Sequence, residues 1–211
     1  MLAHRLDSLM TMDQLELFVD PVCPWTWLTS RWLESVEAEL GLTVRYSVVS
    51  LLELNGDDPS NPWIEAMRQG RRLQRVMVRL LAAGDDARVS ALYRAAGRAT
   101  FEGGRTLDAE LVRELGEGLG LSDEDIAAAD DGRLDAAVVT EHQRAMRLAG
   151  PDVGSPILAR RGGERGFYGP IVDRPLAPDE AVRLWHIVEG VLDTPALFEI
   201  KRGRAVEPRF A

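Results

Sequence analysis

Leu15-Glu16-Leu17-Phe18-Val19-Asp20-Pro21-Val22-Cys23-Pro24-Trp25-Thr26-Trp27 is the stretch whose reading decides the fold. Leu15 to Val19 alternates and then fills with apolar residues before Asp20-Pro21, the pattern of a short buried strand that ends in a loop. Pro24 suits the first position of a helix, where its missing N–H costs nothing, and Gly41 suits the position just past the end. Between them Leu28, Trp32, Val36 and Leu40 recur at helical spacing and give one stripe to pack on the strand. Thr43 to Ser50, with Val44, Tyr46, Val48 and Val49, reads as a second strand. The chain therefore opens as strand, helix, strand, with a right-handed crossover expected.

From about Asn61 to Ala149 the β-branched runs disappear, and Ala, Leu, Arg and Glu dominate at helical periods. Helices are predicted over Ile64–Leu81, Val89–Thr100, Leu107–Leu119, Ser122–Asp130 and Leu134–Leu148, with Ser122 and Asp123 offering N-cap chemistry. Strand character returns in Pro156-Ile157-Leu158-Ala159. A glycine-rich turn and Gly166-Phe167-Tyr168-Gly169 follow, predicting a hairpin. A last helix starts near Pro178 with Ala181, Trp185, Val188 and Leu192 on one stripe. The order βαβ, helices, ββα predicts an α/β, thioredoxin-like fold with a large all-helical insertion. The expected division is 13–57 with 150–195, an inserted unit 58–149, and a tail 196–211.

The 211 residues, 45% hydrophobic, suffice for one sizeable core. A formal charge of −9, with basic residues scattered among carboxylates, disfavours a nucleic-acid partner, which needs a clustered positive surface. Met1 to Ser8 is charged every few positions without an apolar run, and no later stretch is long and apolar enough to span a bilayer. No membrane association and a cytoplasmic location are expected. The single cysteine excludes an internal disulfide, so thiol chemistry must recruit a second sulfur from outside.

A residue just before an N1 proline is the N-cap, so Cys23 faces the free N–H groups of the first helical turn. Thiols in that position have pKa values of roughly 3.5–7.5, against about 8.5 for free cysteine. Cys23 is therefore the candidate nucleophile, set against the plainer reading of a buried cysteine acting as a small hydrophobe. Thr26 stands three residues on, where a redox pair keeps its resolving thiol. Its hydroxyl can donate to the Cys23 sulfur or simply pack within the first turn. Pro156 alone reads as an ordinary proline at a strand's first residue.

Phe18 to Trp27 with Thr29-Ser30-Arg31-Trp32, Asp152-Val153-Gly154-Ser155-Pro156, Phe167-Tyr168-Gly169-Pro170 and Phe198-Glu199-Ile200-Lys201-Arg202 together resemble the mycothiol-dependent nitroreductase family. That family lies within the DsbA-like thioredoxin-fold oxidoreductases. The resemblance runs from about Phe18 to Phe210. It implies a cytosolic actinobacterial enzyme that takes electrons from mycothiol as cosubstrate and reduces nitroaromatic compounds, with disulfides as a further candidate substrate; no glycine-rich phosphate loop follows a strand, so no tightly bound cofactor is expected. The resemblance implies Cys23 as nucleophile, a cis bond before Pro156, and a mycothiol site lined by Trp25, Asn55, Ser155 and Pro156, with Pro24 counted beside them; Thr26 joins Cys23 as a catalytic candidate on its position alone. Asn55 by itself reads as a turn residue and Trp25 as a surface aromatic or a stacking platform. The sequence departs from the family at Thr26, where a second cysteine is usual. Dithiol turnover is thereby excluded and a monothiol cycle is left.

A second reading follows the kappa-class glutathione transferases and related isomerases, which share the inserted-helix architecture and activate a bound thiol. A third is a degenerate, non-catalytic thiol-binding protein. The expected partners are a low-molecular-weight thiol and a small-molecule substrate, with a second copy of the chain as a candidate. His142 and His186 read as ordinary helix residues, and no metal set is expected. The arginines along Ile64–Leu81 read as a solvated face, or as a surface steering an acidic substrate.

Overall fold

The computed structural model describes residues 13–210; Met1–Ser8, discussed above, and Ala211 lie outside them. Four strands form one sheet in the order β2-β1-β3-β4. β1 (Asp13–Val19) runs parallel to β2 (Leu42–Val48) and antiparallel to β3 (Ile157–Arg160), which pairs antiparallel with β4 (Gly166–Tyr168). α1 (Pro24–Leu40) is the crossover between β1 and β2, with Pro24 in its first turn and Gly41 closing it at φ 65°. That is the thioredoxin-type arrangement, and the helices between β2 and β3 are the expanded crossover.

β1 is covered on both faces. Leu15, Leu17 and Val19 enter the main apolar cluster with α1 and the helices, while Phe18 joins Val49, Ala145 and Ile157 on the other face. Glu16 shares the Phe18 face and is nevertheless buried, because Arg144 donates to both its oxygens at 2.7 Å and Ser47 donates at 2.5 Å. Burial raises the Glu16 pKa, but the hydrogen bonds from Arg144 and Ser47 outweigh it, and the carboxyl ends below its ordinary value.

The helical stretch comprises α2 (Leu51–Asn55), α3 (Ile64–Ala82), α4 (Asp86–Gly97) widening into a π-type turn over Arg98–Glu102, α5 (Ala109–Gly118), α6 (Asp123–Ala127) and α7 (Asp135–Ala149). Two readings from sequence change here. β2 ends at Val48, and Ser50, taken as strand, instead caps α2 by accepting from the Glu53 N–H at 3.4 Å. The single helix predicted over Ser122–Asp130 breaks after Ala127 into a 3-10 turn over Ala128–Asp130.

The arginine face of α3 is corrected as well. Arg71 is buried and donates to Glu53 at 2.5 Å. Arg75 grips both oxygens of Asp135 at 2.8 and 2.9 Å, and Arg79 donates to Asp125 at 2.6 Å. Arg72 pairs with Asp130. The stripe clamps α3 to its neighbours, which periodicity alone does not reveal because the carboxylates sit far along the chain. α8 (Pro178–Leu192) closes the other side of α1, where the Trp32 indole donates to Ala181 O at 2.9 Å and its ring lies 6.5 Å from that of Trp185.

Candidate active site

Where β1 stops, Asp20 turns the chain. Its carboxylate accepts from the Val22 N–H at 2.9 Å, and its carbonyl accepts from the Cys23 N–H at 3.1 Å. Cys23 is left as the N-cap of α1 with extended backbone, φ −86° and ψ 110°. The loop entering β3 comes up opposite. The Ser155–Pro156 bond is cis, the Ser155 carbonyl lies 3.9 Å from Cys23 Sγ, and the Ser155 hydroxyl meets the Thr26 hydroxyl at 2.6 Å. A second cis bond, Gly169–Pro170, follows β4, and the Thr29 hydroxyl donates to Pro170 O at 2.7 Å. Cys23, Thr26, Ser155 and Pro156 are thus brought together from segments about 130 residues apart in sequence, as the separation of the Thr26–Ser155 pair, 129, records.

The expected depressed thiol is corrected. Cys23 is only 4% exposed. Burial pushes its pKa up, the Thr26 hydroxyl and N–H and the Ser155 hydroxyl pull it down by less, and the Asp20 carboxylate pushes it up again. Reading from the helix N-terminus alone supplied the favourable contribution and left out the covering loop, which reaches Cys23 from a distant part of the chain. Of the two roles weighed for Thr26, packing is evident, since it is fully buried. Its hydroxyl also lowers the thiol pKa by hydrogen bonding. If Ser155 donates to Thr26, the Thr26 proton is free for the sulfur.

Asp20 was not singled out from the sequence. It is 2% exposed, and besides Val22 it accepts from the Leu51 N–H at 2.7 Å and from the Gln74 amide at 2.9 Å. It therefore ties the Cys23 loop to the start of α2 and to α3. Burial pushes its pKa up to about 6, against the opposing hydrogen bonds and nearby Arg71. The available signal was a carboxylate placed directly after a wholly apolar strand end.

The remaining candidates divide. Pro24 and Trp25 are half-buried at the start of α1. The Arg204 guanidinium lies over the Trp25 ring, 5.2 Å from its centroid, so Trp25 is an aromatic shelf partly covered by the tail. Asn55 ends α2, is exposed, and donates its amide to Leu51 O of its own helix at 2.7 Å; among the described residues no hydrogen bond joins it to Cys23, Thr26 or Ser155. His142 is buried, and its Nδ1 accepts from the Ser50 N–H at 3.4 Å. Among the described residues no group of three or more His, Cys, Asp or Glu is placed to hold a metal ion, and no helix is long and apolar enough to cross a membrane. Further along the Cys23 face of α1, a recess of about 260 Å³ opens between Trp27, Arg31, Trp32, Leu176 and Phe210.

The chain superposes on 2-hydroxychromene-2-carboxylate isomerase with a TM-score of 0.59 at 16% identity, covering 84% of this chain and 95% of that one. It superposes on the cytosolic disulfide reductase DsbM from Pseudomonas aeruginosa with a TM-score of 0.52 at 20% identity, covering 84% and 99%. At these identities the likeness establishes the fold. In sequence, the uncharacterized protein Rv2286c of Mycobacterium tuberculosis is 29% identical over 197 residues, 92% of this chain and 84% of that protein. The model of the Rv2466c-like family, described as mycothiol-dependent nitroreductase Rv2466c, matches residues 22–202, from the residue before Cys23 into the basic tail, and the chain belongs to that family of oxidoreductase enzymes.

Proposed function

We propose that Cys23 works in a monothiol cycle with mycothiol, and that the electrons reduce nitroaromatic or disulfide substrates. The observation that carries this reading is Thr26: the chain has one cysteine, and the residue three positions on presents a hydroxyl bonded to Ser155 at 2.6 Å instead of a second thiol. For a nitro group the step balances when Cys23 and one mycothiol each supply an electron and a proton. The nitro group becomes nitroso, water leaves, and a Cys23–mycothiol disulfide forms. A second mycothiol thiolate then attacks the mycothiol sulfur, releasing mycothiol disulfide and returning Cys23. Thr26 and Ser155 stabilise the Cys23 thiolate, whose generation burial opposes. Pro24, Trp25, Ser155 and Pro156 line the cosubstrate site, and Asn55 joins it by exchanging its bond to Leu51 O for one to mycothiol. A reducing cytoplasm suits this cycle, because a thiol pool there releases the mixed disulfide.

The buried, raised thiol favours one second reading, in which the Thr26–Ser155 hydroxyl pair activates a bound thiol without a protein disulfide, the chemistry expected of a transferase or isomerase. The solved isomerase of like fold is consistent with this.

Intact mass of the reduced protein after exposure to oxidised mycothiol decides between them, with oxidised glutathione and Cys23→Ser as controls. One selective adduct that vanishes in Cys23→Ser and is released by free mycothiol is the expected result. No adduct, together with turnover retained in Cys23→Ser, overturns the monothiol cycle in favour of the second reading.

A further inference from the structure

After α8 the chain runs to residue 210 without helix or strand, and Lys201, Arg202 and Arg204 fall close together within it. Many guanidinium groups elsewhere meet carboxylates, as Arg75 meets Asp135 and Arg209 meets Asp173, while Arg165 donates to a backbone carbonyl, Pro195 O. Arg204 differs. Among the described residues it meets one hydroxyl and one ring: Nη2 donates to the Tyr168 hydroxyl at 3.3 Å, and the group covers the face of Trp25.

Both contacts belong to the frame around the thiol. Trp25 is two residues beyond Cys23. Tyr168 is in register with Ile157, the residue after Pro156, and its ring edge would lie 3.3 Å from a Cβ at Gly154. Arg204 thus bridges Trp25 at the start of α1 and Tyr168 of β4, whose ring packs beside Gly154 in the loop that covers Cys23 Sγ. A guanidinium has five N–H donors in a fork that matches a carboxylate or similar oxyanion. One hydroxyl leaves donors over. On a chain of net charge −9, a cation beside Trp25, two residues from Cys23, favours the approach of an anion that the net charge opposes.

We propose that Arg204 selects an anionic substrate at the Cys23 site by pairing with a carboxylate or equivalent oxyanion on the molecule that reacts with the thiol. This rests on Cys23 being the reacting atom, as in the function proposed above. Arg204 determines specificity; the sulfur chemistry is left to Cys23, Thr26 and Ser155.

The test uses the full chain and three methanethiosulfonates at low concentration, bearing an ethylsulfonate, an ethyltrimethylammonium or a methyl group. In each reaction Cys23 Sγ bonds to the sulfenyl sulfur, methanesulfinate leaves, and the thiol proton passes to solvent. Rates are read as the single mass adduct and divided by those of a cysteine peptide. The expected anionic-to-cationic ratio is about tenfold above the peptide's at low salt and falls toward the peptide's in about 0.5 M salt. Arg204→Ala is expected to lower the ratio at least about threefold, Arg204→Lys to keep it within about twofold, and Arg204→Glu to invert it. A wild-type ratio equal to the peptide's, or a ratio unchanged in both Arg204→Ala and Arg204→Glu, overturns the proposal. The neutral reagent corrects for any change in access. Mycothiol adduct formation on the same samples separates the two readings: no adduct with a retained charge ratio removes the mycothiol cycle and leaves Arg204 in its role, and an adduct without the ratio does the reverse.

Discussion

Thr26 and Asp20 act on the same sulfur in opposite directions, so their substitutions shift it oppositely. Thr26→Val removes a hydrogen bond to the thiolate and leaves the buried Ser155 hydroxyl without its 2.6 Å partner. The pH profile of Cys23 alkylation by iodoacetamide is expected to move up, and stability to fall by about 1–3 kcal/mol. Asp20→Asn removes a negative charge that raises the thiol, and the same profile is expected to move down. Asp20 also carries a signature of its own in stability. Its folded pKa of about 6 lies above its ordinary 3.8, so the folded state binds more protons between those values. Its contribution is full below about pH 4 and is lost as pH rises through 6, by about 2–3 kcal/mol. Urea denaturation across that window should show the slope in wild type and its removal in Asp20→Asn; an unchanged slope in the variant would place its origin elsewhere. Cys23 was legible in the sequence because an N-cap is a local feature. Asp20 was not, because its importance lies in Leu51 and Gln74, which the fold brings to it.

At the scale of elements, α1 is the piece best specified by its own sequence, from Pro24 in the first turn to Gly41 at its close. The inserted helices were legible as helices, but their partners were not. α4 shows why: Gly97 reads as a weak helix residue, yet a Cβ there would sit 2.2 Å from the Trp27 ring, so α4 approaches α1 as closely as it does only because the side chain is absent. Gly97→Ala forces the fully buried Trp27 to move against Tyr93 and Phe101. A loss of about 3 kcal/mol is expected in chemical denaturation despite alanine's better helix propensity. A neutral or stabilising result would mean that the two helices can separate freely. The short α2 escaped notice for a similar reason. It is five residues long, too short for periodicity to show, and is held by the Ser50 cap and by Asp20 at its first N–H.

For the molecule as a whole, the order of elements was readable because β-branched runs lie at the two ends of the chain and helix-forming residues lie between them. What the order does not show is enclosure. The loop that covers Cys23 arrives from residues 154–156, and the tail that reaches Trp25 comes from residue 204. Both depend on the sheet folding back on itself and on α8 packing against Trp32. Anchors at the far end of the tail, the Arg209–Asp173 pair at 3.0 Å and the Phe210 ring 5.3 Å from Phe101, hold that course.

Enclosure has a kinetic consequence. A thiol 4% exposed reacts only in the fraction of molecules that have opened. At low reagent the labelling rate is the chemical rate multiplied by that fraction, and each reagent keeps its own speed. As reagent rises, the rate should level off at the opening rate itself, and at that plateau sulfonate, ammonium and methyl reagents should label Cys23 equally fast. A rate that stays linear to high concentration would show a thiol already accessible. The plateau would instead time the parting of the Ser155–Pro156 loop from the start of α1.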